Sequence, residues 1–283
     1  MLKKLTEAQV AGYRRDGYLY PLPGVGAERA ARYRREFEAY EAGAGGRIGT
    51  LGKPTRYKTH LLLPWCWEIA RDPALLDVVE DLLGPDLLVW TSSFFVKEAN
   101  TDAVALWHQD STYFGMRPHE HVTCWVAITE ASAESGCMQF LSAQGAPRQY
   151  RHKANADPKS INGGGQAVSE PLDASAPVTA SLRPGEFSMH HTLCVHASGA
   201  NRSNDRRIGL GISYIPAHVR HTGTVPVSAT LVRGTDRYGH FDLETPATGD
   251  REQDRERHAR GAASFMAAYA EQMAWHDEGR TAA

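Results

Sequence analysis

The chain has 283 residues, 42% hydrophobic and 23% charged, with a formal net charge of −2. Such a length fits one large domain or two small ones, with core enough to need neither disulfides nor a structural metal. The near-neutral balance argues against a general nucleic-acid or membrane-surface binder, and no apolar run reaches the roughly eighteen residues of a membrane span.

The start, Met1-Leu2-Lys3-Lys4-Leu5-Thr6-Glu7, has basic residues with no apolar stretch behind them and reads as a mature cytoplasmic beginning. Leu5 to Asp16 is a helix: Thr6 and Gln9 stand at capping-box spacing, with Val10 and Tyr13 as its apolar face. Gly17-Tyr18-Leu19-Tyr20 is a short strand. Ala27 to Ala42 is a polar helix with Glu28/Arg32 and Arg32/Glu36 at helical spacing. The glycine-rich run from Gly43 to Gly52 is a loop without phosphate-cradle spacing. Leu61 to Trp67 is apolar, with Trp65 and Trp67 expected in the core, and Pro73 to Leu83 is a helix closed by Gly84-Pro85.

From Leu87 the pattern changes. Leu87 to Lys97, Val122 to Thr129, Gly136 to Leu141, Val178 to Leu182, Glu186 to His190 and Arg207 to Ile215 are short β-rich runs separated by turn signals. Between them lies Gln144 to Asp173, polar and rich in Gly and Pro, a candidate lid. Arg251 to Trp275 is a final polar helix with Phe265, Met266 and Tyr269 on one side. Neither GxGxxG nor a regular βαβ alternation is present, which disfavours a dinucleotide-binding sheet. The best fit is a mainly β fold, a double-stranded β-helix (jelly roll or cupin-like barrel) with flanking α-helices. We take it as a single domain, residues 1–283: a helical part about 1–86, a barrel core about 87–220 and a helical extension about 250–276. The cysteines, Cys66, Cys124, Cys137 and Cys194, form no CxxC pair and are expected to be buried free thiols.

Three features carry chemistry. His108-Gln109-Asp110, if a strand or strand end, projects His108 and Asp110 to one side and Gln109 to the other. With a second histidine they make a 2-His-1-carboxylate facial set, which holds Fe(II) and leaves positions open. His196 is the candidate; His190 and His191 stand close by as competitors. Arg207, eleven residues beyond His196, opens a strand, and its planar fork suits a carboxylate such as the far end of 2-oxoglutarate. Ser198 offers a hydroxyl to the same group. Arg206 points to the opposite face and is expected to make an external ion pair. His190 orients the substrate or simply packs; Tyr57, His60, Lys97 and His121 are open to lining the substrate cavity, but the plain reading for each is a satisfied or exposed side chain.

Several stretches together resemble the phytanoyl-CoA dioxygenase family of Fe(II)/2-oxoglutarate oxygenases, in its bacterial small-molecule branch. These are Trp107-His108-Gln109-Asp110, Val122-Thr123-Cys124-Trp125-Val126-Ala127, Glu134-Ser135-Gly136-Cys137-Met138 and His196-Ala197-Ser198 through Asn201, Ser203, Arg206 and Arg207. The resemblance implies that His108, Asp110 and His196 hold iron. It implies further that Arg207 and Ser198 hold 2-oxoglutarate and that Trp125 lines its pocket. It implies O2 as the third reactant and a small-molecule substrate of secondary-metabolite, amino-acid or phosphonate type. Halogenases of this kind lack the metal carboxylate, so Asp110 favours hydroxylation. Where the family often has a Pro-Gly-Ser-His turn, this chain has Ser142-Ala143-Gln144-Gly145. The rival readings are a cupin-like metal or ligand-binding protein without turnover and a zinc hydrolase using the same three ligands.

Overall fold

The structure, a computed structural model, describes residues 2–142, 147–155, 157, 159–161 and 166–277. In chain order, α1 (Glu7–Asp16), β1 (Tyr18–Pro23) and α2 (Ala27–Ala44) precede two 3-10 turns, Lys53–Arg56 and Thr59–Leu61, then α3 (Pro64–Ala70) and α4 (Pro73–Leu83). The strands β2 (Leu87–Lys97) and β3 (Ala105–His108) follow, then the single helical turn α5 (Ser111–Phe114), β4 (Met116–Arg117), β5 (Val122–Ala127) and β6 (Met138–Phe140). Next come β7 (His152–Ala154), β8 (Gln166–Val168), β9 (Val178–Ala180), β10 (Glu186–His191), β11 (His196–Ser198) and β12 (Arg207–Pro216). The chain closes with β13 (Arg220–His221), β14 (Ser228–Arg233), β15 (Asp242–Leu243) and α6 (Arg251–Asp277).

Local chemistry sets the helix ends. Thr6 and Gln9 make both halves of the expected capping box, and Gly17 ends α1 in the left-handed region. Asp72 caps α4 by accepting from the Ala74 N–H, with Pro73 at the first helical position. The strands lie between helices at both ends of the chain, as a β-rich fold with flanking α-helices expects. No helix among the described residues is long and apolar enough to cross a membrane.

Two sheets position the site. One has the order β1-β10-β5-β12-β2-β14-β15, the other β3-β11-β6-β9. In the larger sheet the two-residue period of a strand sorts the side chains by face. Ile208, Leu210, Ile212 and Tyr214 of β12, with Val122, Cys124 and Val126 of β5, join one core with Tyr33, Phe37, Trp65, Ile69, Leu75 and Val79 of the helices. The alternate residues, among them Ser93, Phe95, Thr123, Trp125 and Arg207, line a cavity on the other face. This is why Arg207 to Ile215 alternates between large apolar and small residues. Trp125, Ala127, Cys137, Met138 and Phe140 pack the two sheets against each other beside that cavity. Trp65 is core as expected, and the four cysteines are buried and free.

Candidate metal centre

His108 ends β3 and His196 opens β11, directly opposite each other in antiparallel register. Their rings lie 4.1 Å apart, centroid to centroid. Asp110 is not on the strand: with φ −64° and ψ −31° it heads the helical turn α5. The expectation that strand alternation brings His108 and Asp110 together is therefore corrected in its cause. The turn does it. Donor atoms of His108, Asp110 and His196 all lie within 4.8 Å of one another.

Hydrogen bonds sort the donor atoms. His108 Nδ1 is 2.7 Å from the Leu106 carbonyl and His196 Nδ1 is 3.0 Å from the Cys194 carbonyl. A carbonyl only accepts, so each Nδ1 carries the proton and each Nε2 keeps its lone pair. Both Nε2 atoms face Asp110 Oδ1, at 3.9 and 3.7 Å. The other carboxylate oxygen is occupied: Oδ2 accepts from the Thr123 hydroxyl at 2.6 Å and from His190 Nε2 at 3.2 Å. Burial works to raise the Asp110 pKa, but the His190 hydrogen bond and the neighbouring imidazoles hold it well below the usual carboxylate range. Burial pushes both His108 and His196 down, toward the neutral form. Two neutral imidazoles and one ionised carboxylate, each fixed by a further partner, are the donor set that fits a divalent transition metal. The structure thus assembles His196, not His191, with the His-x-Asp pair. It assigns His190 to orienting the carboxylate, a role that sequence reasoning left between substrate contact and packing.

Gln109 points away, as expected, and is fully buried. Its amide donates to the Arg148 and Leu193 carbonyls and its oxygen accepts from Tyr150 N–H and the Gln149 amide. Its backbone N–H donates to His152 Nε2 at 3.0 Å. The stretch from Arg148 to His152 is therefore stapled to Gln109, which lies between the two candidate ligands. Further on, Ile161 N–H donates to the Val104 carbonyl and Ile161 lines the cavity. The segment expected as a lid, Gln144 to Asp173, is thus anchored at Arg148 to His152 and at Ile161; Gln144, Gly145 and Gly163 to Gly165 lie outside the described residues, as does Ala143 of the variant turn.

Beyond Asp110, the same cavity holds Arg207, Ser198 and Trp125. Arg207 is 2% exposed, donates to the Gly136 carbonyl at 2.5 Å and sits over the Trp125 ring at 5.3 Å. No carboxylate pairs with it among the described residues, its Nε has no partner, and burial pulls its pKa down from the usual arginine range to about 10. The Gly136 carbonyl is aimed by a turn that only glycine allows: φ is +70°, and a Cβ there would lie 2.3 Å from the Gly199 carbonyl oxygen. Gly209, two residues beyond Arg207, makes room for the indole, since a Cβ on it would meet Trp125 at 1.9 Å. Arg206 does face the other way, but its expected external pairing is corrected. It is 7% exposed and buried against Glu41 at 2.7 and 3.0 Å, with Glu98 at 2.6 Å. The β12 strand is covered by α2 on that side, so the outward face is not solvent.

One wall of the cavity is aromatic: Tyr57, Tyr113, Phe114, Phe265 and Tyr269, with Arg56 also lining it. Tyr57 takes the cavity-lining alternative and belongs to this wall. His60, by contrast, is a satisfied core histidine, bonded to Ser92 and Thr230. Phe265 and Tyr269 stand four apart on α6, the helical spacing that marked them together in the sequence.

The two sheets thus bring together a His/Asp/His donor set that could hold a metal ion. The family profile described as phytanoyl-CoA dioxygenase (PhyH) matches residues 13–209, and the chain belongs to that family. It is 25% identical over 163 residues to a probable alpha-ketoglutarate-dependent hypophosphite dioxygenase of Stutzerimonas stutzeri, covering 56% of this chain and 55% of the relative. It is 24% identical over 241 residues to the L-proline trans-4-hydroxylase of Streptomyces griseoviridis, covering 76% and 89%. Among solved structures, the non-heme monooxygenase ThoJ in its apo form superposes with a TM-score of 0.84 at 28% identity, covering 94% of this chain and 98% of that one. Against the curated relatives it matches first, from nematodes, the chain spans 51% to 62% of their length.

Proposed function

We propose that this chain is an Fe(II)/2-oxoglutarate-dependent dioxygenase that hydroxylates an aliphatic carbon of a small molecule. One observation carries the reading. Two imidazole Nε2 atoms with free lone pairs and one carboxylate oxygen converge in a cavity that also holds a buried arginine with no acid partner among the described residues. A hydrolase has no use for that arginine, and a storage protein has none for the cavity's aromatic wall. The alpha-ketoglutarate-dependent dioxygenase and the proline hydroxylase among its relatives, and the monooxygenase among its structural neighbours, support the same chemistry.

In this reading His108, Asp110 and His196 would hold the iron; the two histidines are buried and the Asp110 side chain is 13% exposed, unlike a surface His-Asp contact. When bound, Fe(II) with 2-oxoglutarate and O2 supplies oxidative decarboxylation to succinate and CO2 and delivers one oxygen atom to a substrate C–H bond. The protein supplies position and dryness. Thr123 and His190 keep Asp110 Oδ2 engaged so that Oδ1 faces the metal. Arg207 and Ser198 take the far carboxylate of 2-oxoglutarate, and Trp125 forms the pocket wall under the guanidinium. Tyr57, Phe114, Phe265 and Tyr269 present an apolar face to the substrate's carbon skeleton and exclude water.

The test is an aerobic turnover screen over amino acids, phosphonates and carrier-linked acyl groups, following succinate formation and a mass gain of one oxygen. Iron-dependent succinate formation with an oxygenated product supports the reading. Activity that persists without O2 and 2-oxoglutarate identifies a hydrolase. Absence of any charge-transfer band when the anaerobic Fe(II) protein is given 2-oxoglutarate points to a binding protein.

A further inference from the structure

Lys97 is the last residue of β2 and pairs in register with Arg207, the first of β12. It is 1% exposed. Its Nζ lies 2.7 Å from Ser198 Oγ and 3.4 Å from the Gly136 carbonyl, and it also contacts the Gly199 carbonyl. No carboxylate pairs with Lys97 among the described residues. The strand register thus buries two cationic side chains side by side, both leaning on the Gly136 carbonyl. That arrangement is costly unless an anion arrives.

Counting donors and acceptors assigns a direction. An ammonium has three protons and accepts nothing. Around Lys97 Nζ stand three oxygen acceptors: two carbonyls, which only accept, and the Ser198 hydroxyl. With Lys97 charged, all three protons are used and Ser198 Oγ is an acceptor toward Nζ. The Ser198 proton is then free for a group inside the cavity, which Ser198 lines and Lys97 does not. We infer that Lys97 is a positioning residue for the co-substrate: it fixes the Ser198 hydroxyl as a donor to the distal carboxylate of 2-oxoglutarate and places a second buried positive charge behind it. Burial and the charge on Arg207 pull the Lys97 pKa down from 10.5 to about 6, so the ammonium is poorly supported until a negative group faces it. The pocket is built for a dicarboxylate keto acid rather than a monocarboxylate one. This inference rests on the placing of 2-oxoglutarate between the metal and Arg207.

The experiment compares two keto acids that share the metal-chelating end, 2-oxoglutarate and 2-oxopentanoate, the second lacking the distal carboxylate. Each is titrated into the anaerobic Fe(II) protein and followed by the charge-transfer band, for the parent, Lys97→Met, Lys97→Gln, Lys97→Arg, Ser198→Ala and Lys97→Met/Ser198→Ala. Loss of a charge-assisted hydrogen bond predicts that Lys97→Met and Lys97→Gln weaken 2-oxoglutarate by about 10- to 100-fold. Binding of 2-oxopentanoate and of Fe(II) should stay at the parent level. Lys97→Arg should recover part of the loss, and Ser198→Ala should cost less in the Lys97→Met background than in the parent, because the two act through one contact. Equal losses for both keto acids, or no loss for either, would overturn the inference and leave Lys97 a structural residue. Should the Lys97 variants not fold, Ser198→Ala decides: unchanged 2-oxoglutarate binding there overturns it. A parent protein that binds both keto acids equally, with Arg207→Ala unaffected, would instead bring down the underlying placement of the co-substrate.

Discussion

Replacing Arg207 tests the proposed co-substrate site most directly, because two opposite effects are expected from one side chain. The guanidinium is 2% exposed with no acid partner among the described residues, and burial lowers its pKa by two to three pH units, to about 10. At about 1.4 kcal/mol per pH unit, that is an unfavourable term on the order of 3 kcal/mol. Against it stand one hydrogen bond to the Gly136 carbonyl and the contact with the Trp125 face. Arg207→Met removes the buried charge and keeps most of the apolar volume, so the apo protein should melt at the same temperature as the parent or higher. Binding should move the other way. Removing one partner of a buried carboxylate pair costs about 2–5 kcal/mol, or roughly 30- to several-thousand-fold in 2-oxoglutarate affinity. Arg207→Lys should restore only part, since an ammonium lacks the planar fork. The assays are thermal unfolding without ligand and 2-oxoglutarate titration of the anaerobic Fe(II) protein. If Arg207→Met loses apo stability while binding 2-oxoglutarate like the parent, the arginine is a structural residue and the carboxylate anchor lies elsewhere.

Metal analysis of purified variants separates the histidines: His196→Ala should lose iron outright and His191→Ala should keep it. His190→Ala should retain iron but with about 10- to 100-fold weaker affinity, because it releases only one bond to Asp110 Oδ2. Asp110→Ala removes the anionic donor, and succinate formation should fall by at least about 100-fold; parent-like turnover would exclude Asp110 as a ligand. Gly209→Ala forces the Trp125 indole to move, since the new Cβ would sit 1.9 Å from it. Weaker 2-oxoglutarate binding with unchanged iron content is expected, and equal loss of both would show a general collapse of the sheet.

How much of this was legible in the residues depends on the range of the interaction. The capping box of Thr6 and Gln9, the caps on α4 and the alternation along β12 are local patterns with a fixed period, and the chain spells them out. His108, Asp110, His196 and Arg207 were singled out by residue type and interval, and the fold gathers them around one cavity. Asp110 meets His108 through a turn rather than a strand because the chain breaks into α5 at that residue, a boundary that a two-residue spacing does not mark.

What lies across strands was not legible. His190 on β10, Thr123 on β5 and Asp110 after β3 meet only because the larger sheet sets β10 beside β5 and faces both toward the metal donors. Lys97 reads as an ordinary strand-end lysine until the register of β2 on β12 lays it next to Arg207. Arg206 looks outward in an isolated strand, and only the packing of α2 over that face, with Glu41 on it, buries the pair. In each case a sequence specifies which side of its own strand a residue takes, because that follows from backbone geometry. The neighbour that waits on that side is chosen by tertiary packing, which sums many weak long-range contacts that no local pattern encodes.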